Sequence, residues 1–137
     1  TFAELMPEPA ARIAALRARL PASAAELAAM FFPEALLAER PELRELFAAL
    51  RPESARSRRR AAAIADAPKV DLAAIEAPTL LVAGELDRVV PMQVTLAMEP
   101  LLRDARHVVL PDVGHGTALQ APVVLAHHLV RFLKETP

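Results

Sequence analysis

Two short stretches hold the residues best suited to chemistry. One is Gly84-Glu85-Leu86-Asp87-Arg88-Val89-Val90-Pro91, and the other is Pro111-Asp112-Val113-Gly114-His115-Gly116. Each follows an apolar run that reads as a strand. The first offers a carboxylate, Asp87. The second offers a histidine between glycines, His115. A carboxylate on one ring nitrogen of a histidine selects a tautomer, orients the ring and stabilises the imidazolium formed when the other nitrogen takes a proton. In open α/β sheets, working groups gather outside the carboxyl ends of the strands. The interval between Asp87 and His115 is filled by one helix and one strand, so both loops should open on the same edge of a sheet.

The elements that must position them are legible on either side. Thr79 to Ala83 is a short apolar run with β-branched residues, ended by Gly84, and it predicts a strand buried on both faces in a parallel sheet. Met92 to Leu102 predicts a helix that Pro100 ends or kinks. His107 to Leu110 predicts a second strand, stopped by Pro111. Pro122 to Leu133 predicts a final helix. Strand, helix, strand and helix with short connections make a βαβ unit.

The first half reads as helices only. In Pro9 to Leu20, the residues Ile13, Leu16 and Leu20 share one face. Ser23 with Glu26 makes a capping-box pattern before Leu27, Met30 and Phe31. Pro33 separates that helix from the next. After Pro41, the residues Leu43, Leu46, Phe47 and Leu50 form a stripe. A further helix runs from Glu53 to Ile64 and carries Arg56, Arg58, Arg59 and Arg60. The chain thus divides into a helical segment, residues 1–67, a linker, residues 68–78, and a βαβα segment, residues 79–137.

The stretch Ala77-Pro78-Thr79-Leu80-Leu81-Val82-Ala83-Gly84-Glu85-Leu86-Asp87-Arg88-Val89-Val90-Pro91 resembles the penultimate strand and acid loop of α/β-hydrolases. Leu110-Pro111-Asp112-Val113-Gly114-His115, followed by Gln120-Ala121-Pro122, resembles their last strand and histidine loop. Many relatives carry a glutamate where Gln120 stands. The resemblance implies Asp87 as the triad acid and His115 as the general base. It implies an α/β fold in which a helical cap precedes the last two parallel strands and helices of the sheet. The style is similar to esterases and oxoadipate enol-lactone hydrolases.

The family order is nucleophile, acid, histidine, with the nucleophile in Gly-x-Ser-x-Gly. The serines here are Ser23, Ser54 and Ser57, and none lies between glycines. The resemblance therefore places the nucleophile before Thr1. The expectation is the C-terminal part of an enzyme that hydrolyses an ester, lactone or related acyl bond by a Ser-His-Asp mechanism, with the chain alone inactive. No cofactor is implied, and the partner is a small-molecule ester or lactone. One alternative is a dehalogenase or epoxide hydrolase with an upstream aspartate nucleophile. Another is a non-catalytic binding module on the hydrolase fold.

Composition narrows the rest. The 137 residues carry a net charge of −1, which gives no global pull toward nucleic acid or anionic membranes. The five aromatics are all Phe, a poor basis for stacking on bases. Cysteine is absent, which excludes disulfides and thiolate chemistry. No apolar run approaches the ~20 residues of a membrane span, and no signal-peptide pattern opens the chain. A cytoplasmic location is the matching expectation.

Other polar residues have plainer readings. Asp112 leads a tight turn. Asp71 and Asp104 are solvated, and His107, His127 and His128 pack or face solvent. The arginine cluster is a solvated face, with one arginine a candidate for a substrate carboxylate. Phe31 and Phe32 are candidates for an acyl pocket wall, with at least one of them in the core. Two strands leave one edge of the sheet open, so the isolated chain should self-associate.

Overall fold

The computed structural model describes residues 7–19, 22–49, 54–65 and 71–136. The chain forms two compact units. One comprises Thr1–Met30 and Glu34–Val70, and the other comprises Phe31–Pro33 and Asp71–Pro137.

The first unit is helical among its described residues. It holds α1 (Pro7–Ala18), α2 (Ala24–Phe31, whose last residue belongs to the second unit), α3 (Glu34–Glu39), α4 (Glu42–Ala48) and α5 (Ala55–Ala65). Ile13 and Leu16 of α1 are buried, as their spacing predicts, and so are Leu27, Ala28 and Met30 of α2. Leu20 lies outside the described residues. The Ser23–Glu26 capping box gives way to another arrangement. Ser23 is buried and its hydroxyl donates to the Leu16 carbonyl. Its hydroxyl thus adds a second donor to a carbonyl at the end of α1, which also accepts from the Arg19 N–H at 3.1 Å.

The turn between α3 and α4 is held by Arg44. Its guanidinium donates to the Leu37 carbonyl at 2.6 Å and to Glu34 at 2.9 Å. Leu43 and Phe47 of α4 are buried, but Leu46 is exposed, so the stripe is narrower than expected. At 3.6 residues per turn, Leu46 lies roughly 80° from the midline between Leu43 and Phe47, at the solvent edge of the stripe. Leu50 lies outside the described residues. In α5, Arg56, Arg59 and Arg60 are exposed.

The second unit is the α/β part. After a 3₁₀ turn (Leu72–Ala74), β1 (Thr79–Gly84) pairs in parallel with β2 (Ala105–Leu110). The register sets Thr79 against Ala105 and Gly84 against Leu110. Between them lie α6 (Met92–Leu96) and a 3₁₀ turn (Glu99–Leu101). The crossover helix is thus shorter than the Met92–Leu102 expected. Pro100 has no N–H for an α-helical bond and disfavours helical geometry in the residue before it, which leaves only a tight turn there. A short α7 (Thr117–Gln120), which the pattern did not announce, precedes α8 (Pro122–Glu135).

Burial is lopsided. In β1, Leu81, Ala83 and Gly84 are buried while Leu80 and Val82 are half-buried. In β2, only Leu110 is buried, and Val108 and Val109 are half-buried. The expectation that the strand from Thr79 to Ala83 is buried on both faces is met only in part, because one face is half-buried. Two strands carry too few neighbouring elements to shield both sides of the sheet. On α8, Val123 is 80% exposed and Leu133 71% exposed, and Val124, Leu129 and Val130 are exposed as well. Among the described residues, no helix is long and apolar enough to cross a membrane.

Candidate active site

Asp87 stands just past the carboxyl end of β1, and His115 lies in the loop that follows β2. The parallel register brings the two strand ends together, with Gly84 beside Leu110. Backbone bonds then zip the loops. The Glu85 N–H donates to the Leu110 carbonyl at 3.0 Å, and the Leu86 N–H donates to the Val113 carbonyl at 2.9 Å. Buried Val89 and Val113 anchor one residue of each loop.

The result is a direct contact. His115 Nδ1 lies 2.9 Å from Asp87 Oδ2. The Asp87 side chain is 9% exposed and that of His115 is 35% exposed. The other carboxylate oxygen, Oδ1, accepts from the Val89 and Val90 N–H groups at 2.8 Å each. Asp87 therefore caps its own turn with one oxygen and meets the histidine with the other. A carboxylate has lone pairs enough for both. The arrangement makes Nδ1–H the donor to Asp87, so Nε2 is left to accept a proton.

The histidine loop has its own supports. Asp112 sits at φ 58°, in the left-handed region that aspartate tolerates better than most residues. Its N–H donates to Glu85 Oε2 at 3.1 Å. Gln120 bridges the loop with its amide. Its Oε1 accepts from the Gly114 N–H at 2.8 Å, and its Nε2 donates to the Asp112 carbonyl at 2.8 Å. A glutamate could reproduce the first bond, but an ionised one could not donate the second.

Gly114 and Gly116 flank His115 for a reason of space. A methyl group on Gly114 would stand 2.5 Å from the Phe31 carbonyl oxygen, and one on Gly116 would stand 2.2 Å from the Phe32 ring. Neither glycine has a positive φ. Close approach of the Phe31-Phe32-Pro33 corner, and not backbone freedom, requires them. Phe32 is 2% exposed and so is a packed residue. Phe31 meets His115 itself, with ring centroids 4.9 Å apart and planes at 77°.

The remaining candidates lie elsewhere. Asp71 caps the first 3₁₀ turn by accepting from the Ala73 N–H at 3.0 Å, so it is more than a solvated charge. His107 Nδ1 lies 2.7 Å from Glu99 Oε2 on the surface. His127 and His128 meet edge to face on α8. The side chain of Arg58 lies outside what is described. Among the described residues, no group of three or more His, Asp or Glu side chains is placed to hold a metal ion. The contributions of Gln120, Glu85 and Phe31 were not anticipated as contacts. The sequence marks Gln120 and Glu85 through their places in the runs around the two loops, and Phe31 as a candidate pocket wall, without assigning these contacts.

Helices and two parallel strands in an open sheet match about half of the α/β-hydrolase fold. The chain is similar to a thermophilic esterase from Thermogutta terrifontis, at 24% identity and a TM-score of 0.73, over 90% of this chain and 48% of that one. It is similar to a hydrolase from Pseudomonas aeruginosa, at 28% identity and a TM-score of 0.68, over 93% of this chain and 49% of that one. A membrane phospholipase A is matched at 26% identity and a TM-score of 0.60, over 86% of this chain and 39% of that one. The chain thus spans about half the length, or less, of these structures. No curated protein matches it. The model of the TAP-like protein family matches residues 54–136, more than half of the chain, and the chain belongs to that family of α/β-hydrolase fold.

Proposed function

We propose that this chain is the acid-and-histidine half of an enzyme that hydrolyses an ester, lactone or related acyl bond through a covalent acyl-enzyme. The observation that carries the reading is the 2.9 Å contact between Asp87 Oδ2 and His115 Nδ1 at the joined ends of two parallel strands. In this reading His115 Nε2 removes the proton from a serine hydroxyl supplied by sequence outside these residues. The serine oxygen bonds to the acyl carbon, and the imidazolium returns its proton to the leaving alcohol. His115 then takes a proton from water, whose oxygen bonds to the acyl carbon, and the imidazolium returns that proton to the departing serine oxygen as the acid is freed. Asp87 holds the ring and its charge throughout. The esterase and hydrolase neighbours support the acyl-transfer class, and the substrate is a small molecule.

The experiment is covalent trapping. An organophosphonate probe applied to the protein that carries its nucleophile should label one serine, and His115→Ala should abolish the labelling. Hydrolysis in ¹⁸O-water that deposits label in a protein carboxylate, with no serine modified, would replace this reading with the aspartate-nucleophile alternative.

A further inference from the structure

The Phe31-Phe32-Pro33 corner sits within the helical stretch of sequence yet packs as part of the α/β unit. It lies against the histidine loop. The Gly116 N–H donates to the Phe31 carbonyl at 3.2 Å. The Phe31 ring then stands edge to face with the imidazole, at 4.9 Å between centroids. T-shaped aromatic pairs hold a preferred mutual orientation because ring edges and faces carry opposite partial charge.

His115 needs such a second restraint. A hydrogen bond at Nδ1 fixes one point of the ring, and the imidazole can still swing about that point. A contact on the ring's flank removes the swing and keeps Nε2 on a constant bearing. Productive proton transfer depends on that bearing, because the base must lie within hydrogen-bond reach of the proton it abstracts.

We propose that Phe31 is a positioning residue for His115, acting through ring-to-ring contact while Asp87 holds Nδ1. The inference rests on the reading of His115 as the general base. It assigns the glycines a linked purpose. Gly114 and Gly116 admit the corner, and the corner delivers Phe31 to the ring.

The test is nuclear magnetic resonance of the 137-residue chain with ¹⁵N-labelled histidine, spun at the magic angle so that particle size is immaterial. In the neutral ring of wild-type His115, Nδ1 should read as protonated and Nε2 as bare. Phe31→Leu keeps apolar bulk without an aromatic edge; the freed ring then meets Asp87 on a poorer bearing, the Nδ1 hydrogen bond weakens, and the two resonances should move toward each other as the second tautomer is populated. Phe31→Tyr should restore the wild-type pair. Unchanged His115 resonances in Phe31→Leu, with those of His107, His127 and His128 also unmoved, would overturn the inference. If Phe31→Leu does not fold, the wild-type protein still decides it. The His115 ring protons should carry a ring-current shift from Phe31, and its absence would equally overturn the inference. Asp87→Asn separates the two layers. If it leaves the His115 resonances unmoved, the base reading itself fails. If it moves them and Phe31→Leu does not, only the role of Phe31 fails.

Discussion

Asp87 and His115 meet through a carboxylate whose two oxygens do different work: Oδ2 faces Nδ1 at 2.9 Å while Oδ1 takes two backbone N–H groups. This division predicts that two substitutions at one position behave differently. In Asp87→Asn the amide oxygen can keep Val89 and Val90, and the amide nitrogen then faces the histidine. The fold should survive, the wrong tautomer should be favoured, and acyl turnover in the enzyme with its nucleophile should fall by up to about 10⁴-fold. In Asp87→Ala the Val89 and Val90 donors lose their partner, at about 1–3 kcal/mol for each buried donor left unmet. Urea unfolding should therefore separate the alanine variant from the asparagine variant by at least 1 kcal/mol or so.

Gln120 gives a second graded series. Gln120→Glu keeps an acceptor for the Gly114 N–H and loses the donor to Asp112. Gln120→Ala loses both. Hydrogen exchange at the Gly114 amide should be slow in the wild type and in Gln120→Glu, and fast in Gln120→Ala. Equal protection in all three would mean that the loop does not depend on this side chain.

Much of this was legible in the chain. Asp87 and His115 stand out because each follows an apolar run that reads as a strand, and because the crossover helix between the two strands makes them parallel and brings both strand ends to one edge. Phe31 was legible as a candidate pocket wall or core residue, but not as a neighbour of His115. Its place beside His115 depends on a corner that returns to the α/β unit from far away in sequence, and no local period encodes that. Leu46 shows the opposite failure. Its hydrophobicity is real, but the helix turns it away from Leu43 and Phe47. The short reach of α6 was half visible, since Pro100 marks a break but does not say that a 3₁₀ turn takes over.

The end of α8 should respond to acid. The Glu135 carboxyl is held below its ordinary range, first by the hydrogen bond from Arg131 and further by Arg106. Arg106 on β2 reaches Glu135 on α8 at 2.7 Å. A lowered carboxyl value means that this link stabilises the fold above the unfolded-chain value and is lost as pH falls through the lowered one. The protection of the α8 C-terminal amides, measured against the intrinsic exchange rate at each pH, should therefore fall on acidification, by a modest amount because the pair is exposed and screened by salt. Glu135→Gln should remove that dependence.

Association of the isolated chain follows from what the second unit leaves uncovered. Among the described residues the sheet has two strands, and β1 pairs with β2 along one of its sides. A strand edge without a partner offers its backbone groups to another chain. Val123, Val130 and Leu133 add exposed apolar surface on α8. Sedimentation at micromolar concentration should show dimers or larger species. A clean monomer with strong amide protection along residues 79–84 would show that the chain covers this edge by itself.

The central claim is that His115 is the base of an acyl-hydrolysing site. The most direct measurement is steady-state turnover of an aryl ester by the enzyme that carries its nucleophile, compared with His115→Ala, alongside the 137-residue chain alone. The account predicts a loss of at least about 10³-fold in the variant, and no His115-dependent turnover from the chain alone. Undiminished turnover in folded His115→Ala, or a robust rate from the isolated chain that the same substitution abolishes, would contradict it.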